Sequence, residues 1–173
     1  MEYDVVVIGA GPVGGFLAQR MCEEGVSVLL LEEHAQIGRP FQCAGLVNPE
    51  AMSLAGLEST VLTQIWGARI HSPSGIPVEI GNEQDVRTWS VCRKLFDEGV
   101  VKGAVNAGAD LWLSSKPISA DANEDHVQIS ISTPQGDQTI SCKLLCGADG
   151  AHSWVRRRFK MGRPKELMIG FQV

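Results

Sequence analysis

The 173-residue chain holds 15 basic and 20 acidic residues, a net charge of −5, with 44% hydrophobic residues. Such a length and apolar content suit one domain with a sizeable core, and the acidic balance argues against nucleic acid as a partner. No apolar run reaches membrane-spanning length and a strand pattern begins by residue 4, leaving no room for a signal peptide; the expectation is a cytoplasmic protein, with peripheral membrane contact left open.

Residues 5–8 are a β-branched run, as in a strand buried on both faces of a parallel sheet. Gly9, Gly11 and Gly14 then spell G-x-G-x-x-G where strand should become helix. Gly9 makes the tight turn, Gly11 lets the backbone approach a pyrophosphate, and Gly14 lets the helix pack on the strand. The helix N-terminus points free N–H groups at the anion. Ala18 is another small residue on the packing side, Gly25 ends the helix, and residues 28–31 form a second buried strand. Glu32 follows, placed to accept hydrogen bonds from a ribose diol. An acid here favours FAD or NAD over NADP; the turn alone does not separate FAD from NAD.

Residues 33–50 form a long connection, too apolar at Phe41, Cys43, Leu46 and Val47 for simple disorder. They read as an ordered loop against a ligand. Ala44 and Gly45 are small enough to let a flat ring lie close, and Arg39 is a candidate phosphate contact. Asn48 reads as an N-cap with Pro49 at the first helical position, opening a helix to about residue 57. Residues 64–81 alternate and turn at 72–75, as two antiparallel strands of a hairpin; residues 86–92 make a third. The strands within 62–92 suggest a second layer beside the nucleotide site.

Residues 93–107 have helical apolar spacing, with Gly99 and Gly103 marking close packing and Gly108 as the stop. A short strand at 110–113 and a three-stranded antiparallel meander (117–122, 126–132, 138–146) follow, the last strand growing more apolar as if re-entering the parallel sheet. Gly147, Asp149 and Gly150 then sit where a buried strand meets a helix at 153–159. Asp149 reads either as a helix cap or as a second nucleotide contact at a strand's carboxyl end. Arg156, Arg157 and Arg158 form a basic run, and residues 168–173 read as a strand. The five cysteines, at 22, 43, 92, 142 and 146, are odd in number and lack any C-x-x-C, which fits a reducing compartment and no metal site.

The two glycine motifs, in this order and separated by a helix and a meander, resemble the flavoprotein family typified by para-hydroxybenzoate hydroxylase. The resemblance implies an α/β fold: a Rossmann-like FAD-binding βαβ core, an antiparallel three-stranded meander, and the start of a β-rich substrate domain. It assigns the ADP part of FAD to Gly9, Gly11, Pro12, Val13 and Gly14 with Glu32 and Glu33, and a second contact to Asp149 and Gly150 in the full G-A-D-G-x-x-S-x-V-R pattern of residues 147–156. Residues 37–46, with a G-x-P-x-x-C loop ending at Cys43, look like the geranylgeranyl reductase family, although Cys43-Ala44-Gly45 lacks the acidic residue many members carry after the cysteine. This resemblance places Cys43, Ala44 and Gly45 beside the flavin, Arg93 at its pyrophosphate or ribityl region, and main chain near Pro117 at the adenine.

The activity implied is reduction of C=C bonds in geranylgeranyl chains, linked to lipid or diphosphate, by hydride from reduced FAD. Electrons would come from NAD(P)H or ferredoxin. Cys43 is the candidate catalytic side chain; its alternative reading is a small buried apolar residue. Family members run to about twice this length and carry a later G-D-A motif, so the expectation is an N-terminal portion, inactive by itself. The rival readings are an FAD- and NAD(P)H-dependent monooxygenase and a non-catalytic nucleotide-binding domain.

Overall fold

The computed structural model describes residues 1–41 and 43–170. In chain order the first elements are β1 (Glu2–Ile8), α1 (Pro12–Glu23), β2 (Val28–Leu31), β3 (Leu46–Val47) and α2 (Pro49–Ala55). Then come β4 (Val61–Ile65), β5 (Gly67–His71), β6 (Pro77–Gly81), β7 (Thr88–Val91) and α3 (Arg93–Asn106). The last are β8 (Asp110–Trp112), β9 (Lys116–Ala122), β10 (Val127–Thr133), β11 (Gly136–Gly147) and α4 (Trp154–Arg158). The fold divides into two units: Met1–Arg39 with the described residues from Asp97 onward, and Pro40–Phe96.

The first unit holds a six-stranded sheet in the order β8-β2-β1-β11-β10-β9. β8, β2, β1 and the second half of β11 are parallel, whereas β9, β10 and the first half of β11 are antiparallel. β1 and β2 alternate their side chains between two cores, which is why both read as unbroken apolar runs. Val5, Val7, Val28 and Leu30 pack on one side with Ala18 of α1 and Val101 and Ala104 of α3. Val6, Ile8, Leu29 and Leu31 pack on the other with Ala120, Ile129, Ile131 and Ile140 of the meander. Each such Val, Leu or Ile side chain contributes about 1.5–3 kcal/mol through burial.

α1 begins at Gly11 as N-cap with Pro12 in the first turn, and the chain leaves it through Gly25 at φ +80°. The helices meet closely: a Cβ on Gly15 would lie 3.0 Å from Val100, and one on Gly103 would lie 2.5 Å from the Gln19 side chain. The close approach expected at Gly103 is therefore present, and Gly15 adds one the sequence did not suggest. At the foot of β1, Asp4 accepts hydrogen bonds from the Ser27 N–H (3.0 Å) and hydroxyl (2.7 Å) and pairs with Lys143 (2.6 Å). These contacts hold its carboxyl well below the usual range.

In the second unit, Asn48 caps α2 by accepting from the Ala51 N–H at 2.7 Å, as its position predicts. α2 stops at Ala55 because Gly56 takes a left-handed conformation. The expected hairpin turn is present between β5 and β6, but the chain breaks at Trp66. β7 pairs with β4 on one side and β3 on the other in a three-stranded sheet, and β5–β6 form a separate two-stranded one. Alternation alone could not show the break, because it continues across Trp66. The strand expected at 168–173 is a further correction: residues 168–170 carry no strand, and 171–173 lie outside the described residues. Among the described residues no helix is long and apolar enough to cross a membrane.

Candidate functional site

Three strand ends converge at the turn after β1. The Gly9 N–H donates to the Leu31 carbonyl at 2.8 Å, and the Ala148 N–H donates to the Ile8 carbonyl at 2.8 Å. Both bonds carry the parallel ladder one step beyond the strands. Gly9 sits at φ +99°, and a Cβ there would lie 2.5 Å from the Ala148 carbonyl oxygen. The first glycine turn therefore rests directly on the second motif. A Cβ on Gly14 would lie 1.9 Å from the Gly9 carbonyl oxygen and 3.2 Å from the Ala148 side chain. Gly9 and Gly14 are thus required by packing within the protein.

Gly11 differs. A Cβ on it would meet none of the described residues within 4 Å, so its lack of a side chain answers no contact among them. Among the described residues no side chain caps the start of α1, no acid stands in its first turn, and Val13 is exposed there. Pro12 has no N–H to place. An uncapped helix N-terminus beside open space suits a pyrophosphate.

Glu32 stands at the end of β2 with its carboxylate engaged on both oxygens. Oε2 accepts from the Ala10 N–H at 3.0 Å; Oε1 accepts from the His34 N–H at 3.0 Å and from His34 Nδ1 at 2.6 Å. The side chain is only 13% exposed. It therefore braces the glycine turn as well as offering acceptors to a ribose. Sequence reasoning missed His34, whose only signal was nearness to Glu32. Glu33 and Arg39 are exposed. The chain after β8 is tied alongside: the Ser115 N–H donates to the Glu32 carbonyl (2.8 Å) and the Ser114 N–H to the His34 carbonyl (3.0 Å). Pro117 follows two residues later at the start of β9.

Asp149 shows both properties the sequence left open. Its Oδ2 accepts from the N–H groups of Trp154 (2.5 Å) and Val155 (3.1 Å), capping α4 together with Ser153. Its Oδ1 is buried with no hydrogen-bond partner among the described residues. A buried carboxylate oxygen left unpaired costs about 1–3 kcal/mol or more, which a donor on a bound group would relieve. Gly150, at φ +72°, is exposed and has open space over its Cα. The open space over Gly11, the uncapped helix and the orphan Oδ1 all fit a bound FAD.

The remaining candidates belong to the second unit. Cys43 and Ala44 are exposed and Gly45 is buried. Gly45 takes φ +79°, its carbonyl accepts from the Val91 N–H at 2.8 Å, and a Cβ on it would lie 2.5 Å from the Val91 carbonyl oxygen. Arg93 opens α3. The exposure of Cys43 corrects the reading of it as a small buried apolar residue. Gln42, within the same loop pattern, lies outside the described residues. The core thiols differ: burial pushes Cys142 up to about 11 and raises Cys22 and Cys146.

Comparison with known proteins matches residues 2–171 to the family described as FAD binding domain. The chain is 34% identical over 160 residues to the digeranylgeranylglycerophospholipid reductase of Methanosarcina acetivorans, covering 90% of this chain and 39% of that protein. A geranylgeranyl bacteriochlorophyll reductase-like structure from Thermoplasma acidophilum superposes with a TM-score of 0.78 at 27% identity, covering 87% of this chain and 40% of that one. The anhydrotetracycline hydroxylase of Streptomyces rimosus follows at TM-score 0.74 and 25% identity, covering 92% and 34%. The chain thus spans about 40% of the length of the reductases it matches.

Proposed function

The chain belongs to the FAD-binding domain family, and from that premise we propose that it holds FAD for an enzyme that reduces C=C bonds in the isoprenoid chains of glycerophospholipids. The single observation that carries the cofactor half of this reading is the seat of Gly9 on Ala148, which joins two glycine motifs into one turn-on-turn site beside the orphan Asp149 oxygen. The substrate half is supported by the relative named digeranylgeranylglycerophospholipid reductase and by the Cys43 loop pattern.

When bound and reduced, FAD supplies a hydride from its N5 to one alkene carbon, the other carbon taking a proton. The chain's residues supply grip and orientation. Gly11 and the α1 N-terminus, through Val13 and Gly14, receive the pyrophosphate. Glu32 accepts from the adenosine ribose, and main chain near Pro117 meets the adenine. Asp149 Oδ1 accepts a hydrogen bond from the same ligand, beside the open backbone of Gly150. The family resemblance adds Glu33, Arg39 and Arg93 on the polar side and Cys43, Ala44 and Gly45 by the flavin ring, and gives the strands of 62–92 to the substrate side. Cys43 is the only one of these with a thiol to place near the reacting atoms.

A chimera tests the reading. This chain replaces the matched segment of the Methanosarcina acetivorans reductase, is loaded with FAD, reduced with dithionite and offered digeranylgeranylglycerophospholipid. The expected result is gain of one H2 per double bond by mass spectrometry. The hydroxylase likeness supports a second reading, and a chimera that binds FAD, makes peroxide in air and leaves the double bonds intact would establish that one instead.

A further inference from the structure

The Glu32 carboxylate has acceptor sites that can be counted. Two oxygens offer about four lone-pair sites in all, two to each. Among the described residues three of these are taken. Oε2 accepts from the Ala10 N–H at 3.0 Å. Oε1 accepts twice, from the His34 N–H at 3.0 Å and from His34 Nδ1 at 2.6 Å. A carboxylate donates nothing, so Nδ1 carries the proton in that contact. Its length is that of a charge-assisted bond. One residue therefore fills Oε1, and the remaining acceptor site belongs to Oε2.

The main chain holds the two side chains in this relation. The His34 N–H lies on Oε1, and the His34 carbonyl accepts from the Ser114 N–H at 3.0 Å. The Glu32 N–H donates to the Trp112 carbonyl at 2.9 Å, and the Glu32 carbonyl accepts from the Ser115 N–H at 2.8 Å. With both backbones anchored to the chain around β8, the imidazole reaches Oε1 without further ordering of the loop. The ring is the outer group of the pair, 42% exposed against 13% for the Glu32 side chain.

A ribose diol has two hydroxyls to donate, and a carboxylate with both oxygens free can take one on each. Here a donor to Oε1 would have to displace the imidazole. We propose that His34 is a specificity-determining residue: by filling Oε1 it restricts Glu32 to one ribose hydroxyl, accepted through Oε2. An acid at the end of the second strand of such a βαβ unit meets the 2′-hydroxyl. That assigns O2′ to Oε2 and leaves the 3′-hydroxyl outside the contact. This role of His34 rests on Glu32 being the acceptor for the adenosine ribose of FAD.

The test titrates FAD and its 2′-deoxyadenosine and 3′-deoxyadenosine analogues, by calorimetry, into the 173-residue chain, His34→Leu and His34→Asn. The parent should bind the 2′-deoxy analogue at least about tenfold more weakly than FAD, and the 3′-deoxy analogue within about twofold of FAD. His34→Leu removes the ring donor and frees Oε1, so the 3′-deoxy analogue should now also fall about tenfold behind FAD. The side-chain amide of His34→Asn can place an N–H where Nδ1 stood and should restore the parent's pattern. A His34 that merely supported the loop would shift all three ligands by one factor, and unchanged ratios in His34→Leu overturn the proposal. So does an Asn variant that follows Leu. So does a parent weakened equally by the loss of either hydroxyl, a comparison that needs no variant to fold. A parent that binds FAD and is indifferent to both hydroxyls would instead remove the ribose contact itself, and the proposal with it.

Discussion

Replacing Glu32 with Ala separates two tasks that one carboxylate performs. The substitution removes the acceptor of the Ala10 N–H (3.0 Å) and of both His34 donors (3.0 and 2.6 Å). The Ala10 N–H is part-buried in the glycine turn, so leaving it unpaired costs about 1–3 kcal/mol of stability. A ribose hydroxyl donating to the same charged group adds about 1.5–3 kcal/mol to binding, which at about 1.4 kcal/mol per decade is roughly a 10- to 150-fold weaker Kd. The two losses are resolved by comparing FAD with its 2′-deoxyadenosine analogue, by calorimetry, on both proteins. If Glu32 holds the ribose, the parent should prefer FAD over the analogue and the variant should lose that preference. Equal weakening for both ligands would refute the ribose role and leave Glu32 as a brace for the turn alone.

Three further outcomes follow from the geometry. Gly11→Ala should fold within about 1 kcal/mol of the parent, since its Cβ meets none of the described residues within 4 Å and only an N-cap preference is lost, yet bind FAD at least about tenfold more weakly. Gly14→Ala should lose both stability and FAD, because its Cβ would lie 1.9 Å from the Gly9 carbonyl oxygen; thermal melts and flavin titration read the contrast, and unimpaired FAD binding by Gly11→Ala would remove the pyrophosphate assignment. Burial, then the Asp110 hydrogen bond and charge, push Tyr3 from 10.0 up to about 12, so its stabilising effect is complete below about pH 10 and fades as pH rises towards about 12. Denaturant melts across that window should show a steeper decline for the parent than for Tyr3→Phe, and parallel curves would contradict the assignment. Iodoacetamide should label exposed Cys43 before Cys142, whose thiol burial pushes up to about 11; peptide mass mapping that finds Cys142 modified first would reverse the order.

What the sequence disclosed, and what it withheld, divides by range. The βαβ unit was legible because each cue is local: β-branched runs for buried strands, Pro12 and Gly25 at the helix ends, and Asn48 before Pro49. The meander was legible because its turns are short. The trouble at Trp66 was not, since alternation is indifferent to which strand pairs with which. β7 takes β4 and β3 as partners while β5 and β6 pair with each other, a choice made by tertiary packing.

The candidate site shows the same division at atomic scale. Each glycine's task was assigned from one motif, but Gly9 answers to both. Its turn is set by the local strand-to-helix reversal, and its missing Cβ by the Ala148 carbonyl oxygen, which would lie 2.5 Å from any Cβ there, 139 residues further on (148 − 9). Asp149 likewise divides its two oxygens, one to cap α4 within six residues and one left unpaired. Local chemistry accounts for Oδ2 completely. It cannot account for a buried Oδ1, whose desolvation is uncompensated within the described protein. The N–H groups of Trp154, Val155 and Arg156 are already met by Asp149 Oδ2 and Ser153, so capping leaves Oδ1 without a task, and a donor on a bound group would give it one.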